Sequence, residues 1–330
     1  MKAKIALYVL LPALLSATFA LSQSSAARPE TNSPSELLRA IDHLKFLHPH
    51  VPSAPSAARS PYLDNSIAQS TSHLFKFRTV DFPGAEQTQV TGIGAGTIVG
   101  VFAFNALTSE SFTFRNGQYS IFTLPGTLAA IALGINDVGQ TVGVYADNSK
   151  TIHGFVDTAG MVTNVDFPGA KATEVIDINI SGEMVGVYLD SSNADHGFVD
   201  NAGVFTSLDF PGATLTEATG INASGEIVGV YNDTSGVEHG FIYSGGAFSP
   251  LDFPLATTTN AVGVNDAGVI AGSYADANNL DHGFVYSAGI FNTVDVPGAA
   301  GTELARVTNK DELVGICTDQ LKEQHGLTAH

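Results

Sequence analysis

Residues 216–254 read TEATGINASGEIVGVYNDTSGVEHGFIYSGGAFSPLDFP, and this stretch decides the fold. Short apolar runs between turn residues predict four strands, over 216–222, 226–231, 239–243 and 247–253. The turns between them are rich in glycine, which takes the positive φ that tight turns require. Proline at the end of the fourth strand stops it, because proline lacks the amide hydrogen of a sheet. The stretch is therefore a hairpin-linked, four-stranded unit without a helical pattern.

The same unit recurs along the chain with a fixed period. Asp-Phe-Pro-Gly or a variant of it begins at Asp81, Thr123, Asp166, Asp209, Asp252 and Asp295, 42 or 43 residues apart. His-Gly-Phe or a variant of it begins at His153, His196, His239, His282 and His325. A period of this size is typical of solenoids, propellers or arrays, and four strands per unit favour propeller blades. We predict an all-β fold over residues 73–330, a six-bladed β-propeller of four-stranded blades.

The two ends of the repeat region predict how such a ring closes. The last copy stops after its third strand, near Gly326–Ala329. The first copy is preceded by an extra fourth strand at Phe75–Phe82. We expect these N- and C-terminal strands to complete one blade together, which would remove the exposed sheet edges of an open array.

The segment before the repeats has the pattern of an export signal and a linker. Residues 1–22 begin with lysines and continue as the apolar run Ile5–Leu21, which predicts a signal peptide cleaved before Gln23 or after a second small-residue site at 25–27. A retained membrane anchor is the alternative, and the modest length of the run argues against it. Residues 23–72 are rich in Ser, Ala and Pro and predict a flexible linker with one short helix at about 34–47. We expect a secreted or cell-envelope protein with no stable membrane insertion after cleavage.

The composition narrows the classes of partner. The chain carries 32 acidic and 14 basic residues, a net charge of −18, and contains 34 Gly and 20 Phe but no Trp. An acidic surface repels phosphate backbones, so nucleic acid is excluded as a partner. The single cysteine, Cys317, cannot form an internal disulfide and predicts a buried apolar residue. We expect a monomer that binds an extracellular glycan or protein.

The units resemble the HAF repeats of exported bacterial proteins. The resemblance rests on Gly-Ile-Asn-x-x-Gly-x-x-Val-Gly, here residues 134–143, followed by His153-Gly154-Phe155, with Gly154 where the family has Ala. It covers residues 74–330 and implies an extracellular repeat protein without assigned catalytic residues. A weaker resemblance to NHL-type propeller repeats rests on the Gly-Ile start, the turn and the aliphatic strand that follows.

The best candidate site is a repeated Asp-x5-His pair. It comprises Asp147 with His153, Asp190 with His196, Asp233 with His239, Asp276 with His282, and Asp319 with His325. Each Asp ends a second strand and each His begins a third, so we expect the two to meet across the loop. One interpretation is a structural hydrogen bond that closes the loop, and the other is a ring of metal or proton-transfer sites. The remaining copy departs from the pattern, with Phe104 and Glu110 at these places.

These patterns predict a binding or structural module rather than an enzyme. Five equal copies indicate architecture, whereas catalysis needs one asymmetric site, and the visible breaks in the repeat are Phe104, Glu110, Leu255 and Cys317. We expect no cofactor; bound calcium on the carboxylate-rich loop face is the alternative, although the dense loop motif of a calcium site is absent. Recurrent phenylalanines predict packing between sheets, with sugar stacking as the alternative. The competing hypothesis is a propeller-type extracellular enzyme such as a glycosidase or lyase.

Overall fold

A computed structural model describes residues 75–105 and 108–330 of the chain. The predicted signal peptide and the linker with its helix lie outside these ranges. The described residues form 24 strands and no helix. They are β1 (Phe77–Thr79), β2 (Gln87–Gly94), β3 (Thr97–Asn105), β4 (Thr108–Arg115), β5 (Gln118–Phe122), β6 (Ala129–Ile135), β7 (Gln140–Ala146), β8 (Ile152–Thr158), β9 (Met161–Val165), β10 (Ala172–Ile178), β11 (Met184–Leu189), β12 (Asp195–Asn201), β13 (Val204–Leu208), β14 (Leu215–Ile221), β15 (Ile227–Asn232), β16 (Glu238–Ser244), β17 (Ala247–Leu251), β18 (Thr258–Val264), β19 (Ile270–Ala275), β20 (Asp281–Ser287), β21 (Ile290–Val294), β22 (Gly301–Val307), β23 (Leu313–Thr318) and β24 (Gln324–Ala329).

The prediction of an all-β chain of hairpin-linked strands is confirmed. The four strands predicted from residues 216–254 match β14–β17 to within two residues at each end. The first five repeats each form an antiparallel four-stranded unit in chain order, and two of these units are joined into one eight-stranded sheet by the parallel pair Ala172–Ile152. The first strand of each repeat contacts the first strand of the next. Sheets whose first strands lie side by side in this way form a β-propeller. Within the described ranges, no helix has the length and apolar character needed to cross a membrane.

The two ends of the described chain lie in one sheet. Strand β1 pairs antiparallel with β24, so that this sheet has the order β1-β24-β23-β22. The Lys76 amide donates to the His330 carbonyl at 2.9 Å, and the Val80 amide donates to the Gly326 carbonyl at 2.8 Å. β1 therefore takes the place of the fourth strand that the last repeat lacks.

Every first strand contains a bulge that brings the repeats close together. The register of each first strand shifts by one residue near its middle. At Gly220, an added Cβ would lie 2.7 Å from the Val262 carbonyl oxygen and 3.0 Å from the Gly263 Cα. Glycine is therefore required at this position, where two backbones approach each other closely. The residue after each bulge is Gly92, Gly134, Asp177, Gly220, Gly263 and Arg306.

A buried side chain from each repeat, a phenylalanine in all but the last, fills the space between sheets, as the recurrent phenylalanines predicted. Phe198 is fully buried and packs with Val142 and Val165 of the preceding repeat. The aligned residues Phe112, Phe155, Phe241 and Phe284 are also fully buried, and the last repeat has Leu327 there. Complete burial of a phenylalanine stabilises a fold by roughly 1.5–3 kcal/mol relative to exposure.

The asparagine of the Gly-Ile-Asn motif links one repeat to the next. Asn179 Oδ1 accepts from the amides of Ser181 and Glu183, which fixes its turn, while its Nδ2 donates to the Asn222 carbonyl at 3.0 Å. The same inter-repeat bond is made by Asn136, Asn222 and Asn265, the last to the Thr308 carbonyl. Gly94 and Thr308 occupy the aligned places in the first and last copies, so this side-chain link is confined to the middle repeats.

Candidate functional site

The aspartate of each Asp-x5-His pair organises the loop between the second and third strands. In the unit quoted first, Asp233 Oδ1 accepts from the amides of Ser235 and Val237 at 2.7 and 2.9 Å. Its Oδ2 lies 3.7 Å from His239 Nε2. The predicted pair therefore lies together, but backbone amides rather than the imidazole supply the short hydrogen bonds that close the loop.

Each histidine has a second and nearer aspartate partner. This partner is the first residue of the Asp-Phe-Pro-Gly motif, which follows the fourth strand of the same sheet. The Nδ1–Oδ distances are 3.0 Å for His153–Asp166, 2.6 Å for His196–Asp209, 3.0 Å for His239–Asp252 and 2.9 Å for His282–Asp295. Each imidazole thus lies between two carboxylates. Both motifs are visible in the sequence, but the contact between the histidine of one and the aspartate of the other was not predicted. The constant separation of 13 residues between them was the sequence feature that indicated it.

The fifth copy is assembled from both ends of the described chain. His325 Nε2 lies 3.8 Å from Asp319 Oδ2, and its Nδ1 lies 3.3 Å from Asp81 Oδ2. Asp81 follows β1, and His325 belongs to β24. The pairing of these two strands therefore recreates the arrangement that the other repeats form locally.

The histidine rings rest on an aromatic stack that crosses between repeats. Phe167 stacks on Tyr188 of the next repeat with ring centroids 3.7 Å apart, and Tyr188 stacks on His196 at 5.1 Å. The same order recurs for Phe210, Tyr231 and His239, and for Phe253, Tyr274 and His282. In the last repeat, Val296 and Cys317 stand at the aligned places of Phe and Tyr. In the four copies that carry the tyrosine, stacking fixes the imidazole between its two carboxylates.

Hydrogen bonding keeps the loop aspartates ionised. Bonds from the Ala194 amide and the Ser192 side chain, together with the His196 charge, lower the pKa of Asp190 to about 2. The hydrogen bond that His282 donates to the Asp295 carboxylate raises the pKa of His282 against the opposing effect of burial, and Asp276 adds to the rise. The carboxylates after the fourth strands are 34–54% exposed. The loop face therefore presents five partly exposed carboxylates, each oriented by an imidazole.

The first repeat lacks the whole arrangement. Phe104, Glu110 and Thr123 stand at the places of Asp, His and Asp. Phe104 is exposed and makes edge contacts with Phe82 and Phe102. All three partners are replaced together, which extends the paired loss that the sequence indicated.

A set of glutamates lies on the first strands of three repeats and was not identified from the sequence. Glu174, Glu217 and Glu303 share one register position with Gln89, Ile131 and Asn260 of the other repeats. Burial raises the pKa of Glu174 well above its usual range, and the charges of Glu217 and Asp195 add to this. Burial and the Asp281 charge raise the pKa of Glu303 to about 8. Glu303 therefore favours the protonated form near neutral pH.

An arginine joins first strands that are three repeats apart. Arg306 Nη2 donates to the Ile176 carbonyl at 3.0 Å, and its Nε lies 3.6 Å from Asp177 Oδ1. Burial raises the pKa of Asp177, while Arg306 and the Ile221 amide act against the rise. The two residues follow bulges, where the other repeats have glycine. The set of repeat breaks identified from the sequence was therefore incomplete, because it did not include this buried, charged pair.

Among the residues that the structure describes, one group brings three metal-ligating side chains together. Asp319, Glu323 and His325 offer ligand atoms that all lie within 4.8 Å of one another.

Comparisons with known proteins give structural likeness without sequence likeness. No protein-family model and no curated protein matches the sequence. The chain is similar to the β-propeller domain of the Trilobed protease from Pyrococcus furiosus, with 9% identity and a TM-score of 0.49 over 74% of this chain and 94% of that one. It is similar to the six-bladed fucose-recognising lectin of Aleuria aurantia, with 10% identity and a TM-score of 0.46 over 76% and 93%. It is also similar to Trypanosoma rangeli sialidase, with 7% identity and a TM-score of 0.47 over 74% of this chain and 54% of that one. At these identities and scores, no ligand or reaction is transferred to this chain.

Proposed function

We propose that this chain is an exported, six-bladed, closed β-propeller that acts as a non-catalytic binding module for carbohydrate. Three observations support the ring. β1 completes the sheet of the last repeat, β2 lies against β22–β24, and the first strands of successive repeats contact one another throughout. The likeness of residues 134–155 to HAF repeats and the apolar run at Ile5–Leu21 support export to the cell envelope or beyond. We propose that the protein works there as a monomer.

The observation that carries the binding function is the fivefold Asp–His–Asp arrangement. A partly exposed carboxylate can accept hydrogen bonds from neighbouring hydroxyl groups of a sugar. The imidazole holds each carboxylate in one orientation before the ligand arrives, which lowers the entropy lost on binding. Equal sites on one face suit a ligand that itself repeats, because linked sites bind with higher avidity than one site. A polysaccharide has this property.

A glycan-binding screen of the purified mature chain tests this proposal. We expect a repeating polysaccharide to bind, and we expect Asp166→Asn, Asp209→Asn and Asp252→Asn to weaken its binding progressively when combined. Thr123→Val is the matched control, since it changes the aligned place in the repeat that lacks the arrangement. Absence of binding to every glycan, or equal binding by the triple variant, would reject the carbohydrate ligand.

One observation favours the alternative of an enzyme. Glu174 and Glu303 are carboxyl groups with raised pKa at places where other repeats have Gln, Ile or Asn. A general acid in glycoside cleavage requires such a raised pKa. Turnover of a polysaccharide that is abolished by Glu303→Gln but retained by Asp252→Asn would establish the glycosidase or lyase hypothesis over the binding module.

A further inference from the structure

The last repeat differs from the others in the loop that precedes β24. This loop places the Glu323 carboxylate beside the Asp-x5-His pair of Asp319 and His325, with all three ligand atoms within 4.8 Å of one another. The aligned residues of the other repeats with the pair are Thr151, Ala194, Val237 and Leu280, none of which is a carboxylate. We propose that Asp319, Glu323 and His325 bind one divalent transition-metal ion, with zinc as the best fit.

The orientation of each ligand supports one metal ion. Asp319 Oδ1 accepts from the amides of Leu321 and Glu323, which leaves Oδ2 facing His325 Nε2 at 3.8 Å. Two donors of a tetrahedral zinc ion with bonds of about 2.1 Å lie about 3.4 Å apart. A movement of a few tenths of an ångström therefore completes this edge of the coordination sphere. The exposed Glu323 side chain can adjust to supply the third bond.

The far side of the imidazole has the partner that metal-binding histidines use. His325 Nδ1 lies 3.3 Å from Asp81 Oδ2, outside the three-ligand group. A carboxylate on one ring nitrogen fixes the tautomer and directs the lone pair of the other nitrogen to the metal ion. Asp81 follows β1, His325 lies in β24, and the other two ligands precede β24. An ion at this site would therefore stabilise the contact between the two ends of the described chain.

The ligand set selects zinc over calcium. Calcium takes six to eight oxygen ligands, whereas this group offers two carboxylates and one imidazole nitrogen. Imidazole with carboxylates suits zinc and related transition metals, and three protein ligands leave a fourth position for water. The ion is thus distinct from the carbohydrate that we propose for the loop face as a whole.

Titration of the intact mature chain with zinc chloride, followed by calorimetry near neutral pH, tests the site. We expect one equivalent to bind and the melting temperature to rise with zinc. Glu323→Gln should weaken zinc binding at least tenfold, whereas Asp276→Asn, in a sister pair without a third ligand, should leave it unchanged. Leu280→Glu should add a second equivalent, because it gives the Asp276–His282 pair the missing carboxylate.

Two results would overturn the proposal. The first is no zinc uptake by the unmodified chain. The second is several equivalents that Glu323→Gln does not reduce, which would assign zinc to the Asp–His pairs in general. Circular dichroism of Glu323→Gln separates loss of the ligand from loss of the fold, and the gain in Leu280→Glu does not depend on that variant.

Discussion

His325 Nδ1 lies 3.3 Å from Asp81 Oδ2, so the fifth Asp–His–Asp arrangement joins the first and last strands of the described chain. In the other four copies both partners belong to one hairpin, 13 residues apart. The geometry is the same although the connectivity differs. The pairing of β1 with β24 therefore serves the fold and the candidate site at once.

The backbone pairing of β1 yields the first prediction. The amides of Lys76 and Val80 bond to β24, so alternation along the strand turns the Arg78 amide to the same side and the Thr79 amide away. Arg78→Pro removes a bond of the sheet, whereas Thr79→Pro, at an equally exposed residue, removes an amide on the open edge. We expect Arg78→Pro to cost about 1–2 kcal/mol more than Thr79→Pro, a further fall of roughly 2–6 °C in Tm. Equal melting temperatures would show that the β1–β24 bonds contribute nothing to stability.

Leu255 gives the second prediction. It replaces the glycine of Asp-Phe-Pro-Gly, has a φ of 66° and is 97% exposed. A left-handed conformation costs a residue with a Cβ about 1–2 kcal/mol. We expect Leu255→Gly to raise the urea midpoint by the equivalent of about 1 kcal/mol without changing the m value. The reverse change, Gly212→Leu at a φ of 83°, should lower the urea midpoint by a similar amount. A midpoint lowered by Leu255→Gly or raised by Gly212→Leu would refute backbone strain at Leu255.

The charged pair between distant first strands gives the third prediction. Arg306→Gly restores the residue of the other repeats but leaves Asp177 buried without its arginine. Loss of one partner of a buried pair typically costs about 3–5 kcal/mol. We expect each single change to glycine to be strongly destabilising and the double variant to lose less than the sum. If the losses in the free energy of unfolding are additive in this double-mutant cycle, the two side chains do not interact.

The pH dependence of stability gives the fourth prediction. Asp295 raises the folded-state pKa of His282 above 6.5. The stability that the protonated His282 contributes is therefore present below about pH 6.5 and is lost as the pH rises through the folded-state pKa. Burial raises the pKa of Glu303 from 4.5 to about 8, so folding favours its protonated form and stability also falls as the pH rises through this range. The lowered pKa of loop aspartates such as Asp190 acts in the opposite sense, but only below about pH 4.

We therefore expect a lower Tm at pH 8.5 than at pH 6. Glu303→Gln should reduce this decrease, because the aligned Asn260 shows that a neutral amide is accommodated at this place. Asp157→Asn, at the end of the β8–β9 hairpin, makes the same acid-to-amide change and keeps an oxygen that accepts from the Gly160 amide; it is the control and should not reduce the decrease. A Tm that is the same at both pH values would contradict the buried, protonated carboxyl.

The repeat pattern made the strands predictable, since turn residues and short apolar runs act locally. The meeting of Asp233 with His239 was predictable for the same reason, because one loop separates them. Asp252 was not recognised as the nearer partner of His239, since that contact depends on the register of β16 with β17. Motif spacing alone does not give that register.

The pair Asp177 and Arg306 was beyond sequence reasoning for a different reason. The bulge in each first strand shifts the alternation of side chains, so a count of two along the strand assigns these residues to the wrong face. Their contact also joins repeats that are distant in the chain. In the same way, the link from Asn222 to the next repeat required knowledge of which turns lie side by side.

Cys317 occupies the place of the stacking tyrosine in the last repeat, directly opposite His325 on the neighbouring strand. It is 5% exposed, and burial, with the charges of Asp81 and Asp319, raises its pKa to about 11. A thiol of this kind reacts with alkylating reagents only when its surroundings separate, since the thiolate is the nucleophile. Because Cys317 is the sole cysteine of the chain, its rate of alkylation under native conditions measures how often β23, β24 and β1 separate.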